Sequence, residues 1–192
     1  MAHDAFGIKT LFVNVYFVGE PGEGNPWVLV DAGLPGYADT IREEATKLYG
    51  ADHTGGDAAF RPTRPQAIIL THGHGDHVGS LKLLLDEWGD VPVYAHKLEL
   101  PYITGKSSYP PPDPGIGGGA MAYFSWVFPI GPIDVSVNIK TIAEDGQIPE
   151  LPGWRVIHTP GHAPGHISLF RAQDRTLIAG DAFITTKTHG HP

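Results

Sequence analysis

The sequence predicts an α/β protein in which two sheets pack between helices. Short apolar runs rich in β-branched residues recur along the chain, and amphipathic segments with helical spacing alternate with them in the first half. From Asn138 onward the pattern is mainly strand after strand, so the two blocks favour two packed sheets. A cluster of histidines directly follows one apolar run, at the carboxyl end of a predicted strand, where α/β sheets usually carry their chemistry.

Length and composition favour one domain over residues 1–192. The chain is 41% hydrophobic, enough to bury a core, and no internal repeat or linker divides it. It contains no cysteine, which excludes disulfides, thiolate nucleophiles and thiolate metal ligands.

Charge and hydropathy argue against nucleic acid and membranes as partners. The net charge is −8 and the 13 Lys and Arg residues are scattered, so no basic patch for nucleic acid is visible. No apolar stretch approaches the roughly 18–20 residues of a membrane span, and the N-terminus lacks the pattern of a signal peptide. We therefore expect a small-molecule substrate, no nucleic acid or membrane partner and a cytoplasmic location, with no indication of oligomeric state.

The first predicted elements lie between residues 9 and 49. Lys9–Val18 is interpreted as one strand, and Trp27–Val30 as the strand that pairs with it. Asp31, which ends this second strand, either caps the following turn or orients metal ligands. Ala38–Tyr49 has the spacing of an amphipathic surface helix.

The middle of the chain continues this alternation. Ala67–Leu70 reads as a buried strand, Val78–Trp88 as a helix with a broad apolar face, and Pro92–Ala95 as a short strand. His96 after that strand is either a pocket residue or a hydrogen-bonded structural histidine. Four further strands are predicted at 138–142, 154–158, 167–171 and 176–179.

Residues 101–135 show no regular pattern and are rich in Pro, Gly and aromatic residues. A long ordered loop in a compact domain is usually functional. Its aromatic side chains either line a substrate pocket or, for residues 120–128, belong to a covering helix that packs into the core. The candidates for the pocket wall are Tyr102, Tyr109, Tyr123 and Trp126.

Two clusters carry the chemistry. Thr71–His77 places three histidines and an aspartate within six residues, and Gly73 and Gly75 are expected to let the backbone turn sharply so that the imidazoles converge. His158–His166 holds three more histidines between Pro-Gly pairs, and Asp181 ends a later strand. Neutral imidazoles and carboxylates are ligands that Zn²⁺ selects, although iron and manganese also accept them.

In this order, the motifs resemble those of the metallo-β-lactamase superfamily, which includes glyoxalase II-like and lactonase-like hydrolases. The resemblance covers essentially the whole chain, from Asp31-Ala32-Gly33 to Gly180-Asp181. It implies a four-layer αβ/βα sandwich with two divalent metal ions, zinc by default, at the sheet edge.

The resemblance also implies a role for each candidate. The first metal is expected on His72, His74 and His162. The second is expected on Asp76 and His77, with Asp181 bridging the two metals. Asp76 is in addition the catalytic residue that orients the nucleophile or moves a proton. Asp31 and His166 are expected to orient the ligands, with direct coordination by His166 as the alternative.

The chain departs from the family at its end. The family supplies a last histidine to the second metal from well downstream of the bridging aspartate, whereas this chain ends at Pro192, eleven residues past Asp181. We expect a C-terminally truncated fragment that lacks the last elements of the fold and one ligand of the second metal. The alternative is that the tail, with His189 and His191, folds back to coordinate.

The implied function is hydrolysis. A water that bridges two metals has its pKa lowered toward about 7, which supplies hydroxide to attack a small ester, thioester, lactone or lactam. The alternatives are a phosphodiesterase or nuclease of the same fold, a di-iron redox protein, and a non-catalytic metal-binding module.

Overall fold

The computed structural model describes residues 2–52, 61–109 and 139–183, and these residues form an α/β sandwich. The elements in chain order are β1 (Ala5–Thr10), β2 (Val13–Val18), β3 (Val28–Val30), α1 (Ala38–Tyr49), β4 (Ala51–Asp52), β5 (Arg61–Pro62), β6 (Ala67–Ile69), α2 (Gly75–Val78), α3 (Leu81–Trp88), β7 (Val93–Ala95), α4 (Leu100–Ile103), β8 (Ile139–Thr141), β9 (Trp154–His158), β10 (Ile167–Arg171) and β11 (Thr176–Ile178). The predicted α/β class is confirmed.

The strands form two main sheets and a short hairpin. The larger sheet has the order β1-β2-β3-β6-β7-β8, antiparallel from β1 to β3 and parallel from β3 to β8. The smaller sheet, β11-β10-β9, is antiparallel, and β4 pairs with β5 alone. Because β3 and β6 are parallel neighbours, their carboxyl ends meet at one edge of the larger sheet.

The central strands β3, β6 and β7 of the larger sheet are buried on both faces. Leu29 and Ile68 pack into a core with α1 and α3, whereas Val30 and Ile69 pack into a second core with β9 and β10. This burial on both faces explains why these strands read as continuous apolar runs rather than as alternating ones. The described residues thus supply three of the four predicted layers: helices, large sheet and small sheet.

The predicted strand over Lys9–Val18 is wrong, because this stretch contains the turn of a hairpin. β1 and β2 pair residue by residue, with Thr10 opposite Val13. Leu11 takes a positive φ of 64°, and the Thr10 hydroxyl donates to the Val13 carbonyl across the turn. The turn carries none of the usual Gly, Asn or Asp residues, so nothing local distinguished it from strand.

The predicted helix over Val78–Trp88 is also divided. α2 ends at Val78 and α3 begins at Leu81. Gly79 lies so close to Pro35 that a Cβ there would be 2.3 Å from the proline ring, and Ser80 donates to the carbonyl of Leu34. The break is therefore made by contact with a distant loop, which periodicity cannot reveal.

The other element predictions hold within one to three residues wherever the chain is described. The helix Ala38–Tyr49 and the strands at 154–158 and 167–171 are confirmed at both ends. Of the irregular segment 101–135, residues 110–135 lie outside the described residues, with Tyr123 and Trp126 among them. Within the described ranges, no helix is long and apolar enough to cross a membrane.

Arg171 at the end of β10 connects the N-terminal segment to the small sheet. Its guanidinium donates two hydrogen bonds to Asp4, at 2.5 and 2.7 Å, and two to Asp174, at 3.0 and 2.7 Å. It also lies 4.7 Å from the centre of the Trp154 ring. Hydrogen bonds from Arg171 lower the pKa of Asp4 below its ordinary value of 3.8.

This pairing predicts a loss of stability in acid. Because the pKa of Asp4 is lower in the folded state, its contribution is present above about pH 4 and is lost as the pH falls through the folded-state value. We expect Asp4→Asn to be less stable than the parent at pH 6 and to lose less further stability between about pH 5 and pH 3. Urea unfolding across that range measures it.

Asp86→Asn is the matched control, because within the described ranges the one ion-pair partner of Asp86 is Lys82, across one exposed turn of α3. Exposed helical pairs of this kind contribute little. An acid profile of Asp4→Asn that matches both the parent and Asp86→Asn would contradict the role of the Asp4–Arg171 pair.

Candidate metal centre

The candidate residues meet where several strands end. Asp31 directly follows β3, and the loop 71–77 follows β6, its parallel neighbour. The second loop, residues 159–166, connects β9 to β10 of the small sheet, and Asp181 follows β11. The backbone N–H of Ile167 donates to the carbonyl of Thr71 at 2.9 Å, which joins the two sheets beside the site.

The first group of donors consists of His72, His74 and His162. One ring nitrogen of each lies within 4.8 Å of the others. Nδ1 of His74 and Nε2 of His162 are 2.8 Å apart, although these residues are 88 positions apart in the chain. The ring planes of His72 and His74 meet nearly edge-on, at 87°. The structure thus brings together the three histidines predicted for the first metal.

The second group consists of His72, His77 and Asp181, again with donor atoms within 4.8 Å of one another. Nε2 of His77 lies 3.4 Å from one oxygen of Asp181, and Nε2 of His162 lies 3.5 Å from the other. The carboxylate of Asp181 therefore lies close to one histidine of each group, His162 of the first and His77 of the second.

Asp76 stands apart from both groups. It lies in the first turn of α2, half-buried, and its carboxyl is not among the converging donor atoms. Burial raises the pKa of Asp76 above its ordinary value, while the neighbouring His77 opposes that rise. Asp76 is thus electrostatically coupled to the site.

Asp31 forms hydrogen bonds to two residues of the first loop. Its carboxylate accepts hydrogen bonds from the backbone N–H and the hydroxyl of Thr71 and from Nδ1 of His77, each at 2.8 Å. The residue is 1% exposed and takes a positive φ of 63°. Asp31 therefore orients a candidate ligand, which is the second of the two roles considered for it.

These contacts assign the tautomer of His72 and the orientation of the His77 ring. The Thr71 hydroxyl donates to Asp31, so Nδ1 of His72, 3.1 Å away, must donate to that hydroxyl. His77 likewise donates from Nδ1 to Asp31. Nε2 of His72 and Nε2 of His77 are then directed into the site, buried and without a hydrogen-bond partner among the described residues. Buried nitrogens without partners are unfavourable, and a metal ion would satisfy both.

The electrostatics of the cluster agree with this donor set. Burial, followed by the charges of the neighbouring imidazoles, lowers the pKa of His72 well below its ordinary value and the pKa of His74 to about 3. Both imidazoles are therefore uncharged at neutral pH, as a metal ligand must be. Burial opposes a charge on His77, but Asp31 and Asp181 outweigh it and raise its pKa to about 10. A metal that binds His77 must therefore displace a proton.

His166 is held on both ring nitrogens. The backbone N–H of Asp181 donates to its Nε2 at 2.9 Å, so Nδ1 donates to the hydroxyl of Thr159 at 2.8 Å. Neither nitrogen is left for direct coordination. His166 instead positions the segment that carries Asp181.

Of two further residues beside the site, Glu99 was not predicted, and Tyr109 was predicted only as a candidate for the pocket wall. Glu99, buried completely just before α4, accepts a hydrogen bond from the backbone of Gly73 in the first loop. Tyr109, whose role the sequence left open, packs its ring 4.5 Å from that of His74, and its hydroxyl donates to Glu99. Burial, followed by Glu99, raises the pKa of Tyr109 far above its ordinary value, so this hydroxyl keeps its proton. No local motif marks either residue.

The explanation predicted for the glycines is wrong. Gly73 and Gly75 are not among the glycines of positive φ, and Gly75 begins α2. Gly73 is required instead by close approach, because a Cβ there would lie 2.7 Å from the Tyr109 hydroxyl and 2.8 Å from Ile103.

His96 stands outside both donor groups. Its ring stacks on that of His158, with centres 4.2 Å apart and planes 12° from parallel. This packing agrees with the structural interpretation of His96.

The fold and these donors define a class: α/β sandwich proteins with a histidine and carboxylate cluster at the strand ends that is suited to metal ions. Residues 8–189 match the profile of the metallo-beta-lactamase superfamily. The chain belongs to this superfamily, as the motifs predicted.

Three similar proteins illustrate the relationship. The probable metallo-hydrolase YflN of Bacillus subtilis is 45% identical over 186 residues, which cover 97% of this chain and 66% of that protein. The hydroxyacylglutathione hydrolase of Xylella fastidiosa is 34% identical over 121 residues, 63% of this chain and 33% of that protein. The crystal structure of TTHA1623 in a di-iron-bound form superposes with a TM-score of 0.56 at 28% identity, covering 91% of this chain and 70% of that one. The chain thus spans just under two thirds of the length of YflN.

Proposed function

We propose that this chain carries the metal centre of a metal-dependent hydrolase that cleaves small acyl compounds, namely esters, thioesters, lactones or lactams. The observation that carries the proposal is the pair of buried Nε2 atoms of His72 and His77, which have no hydrogen-bond partner among the described residues and point into a cluster of further candidate ligands. Hydrogen bonds from Nδ1 direct Nε2 of both rings into the site, and Nε2 of His77 becomes available to a metal once it has lost its proton.

The donors suit two divalent ions. His72, His74 and His162 would hold the first. His77 would hold the second, with Asp181 shared and Asp76 as a further ligand or as a nearby carboxyl. An all-nitrogen group beside a mixed nitrogen and oxygen group is compatible with zinc, and equally with iron or manganese. Zinc is our first choice, and the di-iron form of TTHA1623 makes iron the principal rival.

When bound, such metal ions would supply a hydroxide nucleophile near neutral pH and polarise the group under attack. The chain's own residues prepare the site for this chemistry. Asp31 keeps Nε2 of His77 directed inward, and His166 holds the backbone of Asp181. Asp76, half-buried beside His77, would orient the nucleophile or move a proton.

The relatives and the charge of the chain support the choice of substrate. YflN is named a probable metallo-hydrolase, and the Xylella fastidiosa relative a hydroxyacylglutathione hydrolase, an enzyme for an acylated thiol. The net charge of −8 disfavours polyanionic substrates, so a phosphodiesterase or nuclease is the weaker candidate.

Removal of the metal tests the proposal. We expect the purified protein to carry about two metal ions per chain, as two-metal hydrolases do. It should hydrolyse at least one of a panel of small esters, thioesters, lactones and lactams. Chelation should reduce the rate to that of buffer, and added zinc, iron or manganese should restore it. Hydrolysis that survives complete removal of metal would contradict the proposal, as would a chain that binds no metal.

A further inference from the structure

Glu99 is a fully buried carboxylate that belongs to neither group of candidate ligands. Its Oε2 accepts hydrogen bonds from the backbone N–H of Gly73, at 2.9 Å, and from the hydroxyl of Tyr109. Its Oε1 accepts one from the backbone N–H of Gly165, at 2.6 Å. A buried carboxylate is unfavourable unless it is well hydrogen-bonded, and here three donors surround it.

The two backbone donors belong to different loops. Gly73 lies between His72 and His74, and Gly165 lies in the loop that carries His162. Gly73 is 26 positions and Gly165 66 positions from Glu99 along the chain. The Glu99 carboxylate therefore contacts the backbone of both loops that supply the first group of candidate metal ligands.

Both contacts depend on glycine. A Cβ at Gly165 would lie 2.8 Å from Glu99 and 2.9 Å from His96. At Gly73 a Cβ would meet Tyr109 and Ile103 as closely. Larger residues would push the loops away from the carboxylate, so the loops and Glu99 are fitted to each other.

We propose that Glu99 is a positioning residue that holds the two metal-binding loops together, so that His74 and His162 face each other across the site. Tyr109 assists by bonding to both Glu99 and the N–H of Gly73. This inference rests on the proposed metal site. The two buried carboxylates thus differ in role. Asp31 orients the His77 ring within the first loop, whereas Glu99 sets the distance between the two loops.

The test compares Co²⁺ affinity in Glu99→Gln, Tyr109→Phe and the parent, each freed of metal by chelation. Glutamine offers one acceptor oxygen, and its amide N–H groups oppose a backbone donor. We expect Glu99→Gln to bind Co²⁺ about 10- to 100-fold more weakly, the usual cost of losing a residue that supports ligands. Tyr109→Phe retains the carboxylate and should weaken binding less.

A second readout follows the loops directly in the metal-free protein. Amide hydrogen exchange should accelerate at Gly73 and Gly165 in Glu99→Gln. Exchange should stay unchanged at Ile68 and Leu70. Their N–H groups donate to the carbonyls of Pro92 and Tyr94, respectively, in and beside β7. A purely structural role would change exchange throughout the core or nowhere.

Glu150→Gln is the matched control, because Glu150 also accepts a hydrogen bond from a tyrosine, Tyr94, which packs in the core between the two sheets. We expect this variant to bind Co²⁺ like the parent. Equal affinities of Glu99→Gln and Glu150→Gln would overturn the proposal. Weaker binding with both glycine amides still protected would also overturn it, since only the lost charge would then matter.

Two further outcomes remain decisive. If Glu99→Gln does not fold, Tyr109→Phe decides, and unchanged Co²⁺ affinity with unchanged exchange at Gly73 overturns the proposal. If the parent binds no Co²⁺, the proposed function fails by itself. Exchange at Gly73 and Gly165 then still shows whether Glu99 holds the loops.

Discussion

His74→Ala is expected to abolish metal-dependent hydrolysis while the fold is retained. The substitution removes one of only three nitrogens in the first donor group. Loss of a ligand should weaken metal binding by more than the roughly 100-fold that loss of a supporting residue costs. Elemental analysis and the rate on the best substrate of the panel measure the two effects.

The fold should survive because His74 contributes little to it without metal. Its Nδ1 faces Nε2 of His162 at 2.8 Å, and burial with the neighbouring imidazoles lowers its pKa to about 3. Crowded imidazoles without a metal are an unfavourable arrangement, so alanine should leave the free energy of unfolding of the metal-free protein within about 1 kcal/mol.

His3→Ala is the control, because His3 is an exposed histidine that pairs with Glu20 at the surface and belongs to neither group of candidate ligands among the described residues. It should leave metal content and hydrolysis at parental values. Full hydrolytic activity in His74→Ala would refute the proposed centre, even if the variant were less stable.

Asp31→Asn is expected to remove metal from the His77 side of the site through a change of tautomer. In the parent, Oδ1 of Asp31 accepts from the Thr71 N–H, and Oδ2 accepts from the Thr71 hydroxyl and from Nδ1 of His77. If the amide oxygen of asparagine takes the place of Oδ1, its N–H₂ group takes the place of Oδ2. Nδ1 of His77 would then have to accept, which moves its proton to Nε2, the atom directed toward Asp181. A protonated Nε2 cannot bind metal, so about one metal per chain should be lost.

Stability should fall as well. Asp31 is buried, and an imperfectly satisfied network of this kind costs about 1–3 kcal/mol. Asparagine tolerates the positive φ of 63°, so backbone strain adds little. Urea unfolding of the metal-free protein measures this cost, and ¹⁵N shifts of the histidine ring report the tautomer.

Asp145→Asn provides the comparison, since Asp145 is exposed and accepts a local hydrogen bond from the backbone of Gln147. Asp31→Asn with full metal content and an unchanged His77 tautomer would contradict the orienting role of Asp31.

Local pattern was enough to predict much of the fold and the two histidine clusters. The strands β3 and β6 are buried on both faces, and burial of this kind imposes an apolar run that is visible in the sequence. The His-x-His spacing and the Pro-Gly turns are likewise local. The order of these motifs resembles that of the superfamily, and this resemblance implied one site for His72, His74, His77, His162 and Asp181. The structure brings the donor atoms of these residues together in two groups.

Contacts between distant segments decided the rest. The hairpin turn at Leu11 and the break at Gly79 carry no local signal, because a tertiary contact or an unusual turn residue makes each. The tautomer of His77 depends on Asp31, 46 positions away, and the distance between the metal-binding loops depends on Glu99 and Gly165. The sequence alone determined which residues could bind metal, because donor chemistry belongs to each side chain. Only the tertiary structure determined which nitrogen faces the site and what holds the loops together, because hydrogen bonds between remote residues form only once the chain is folded.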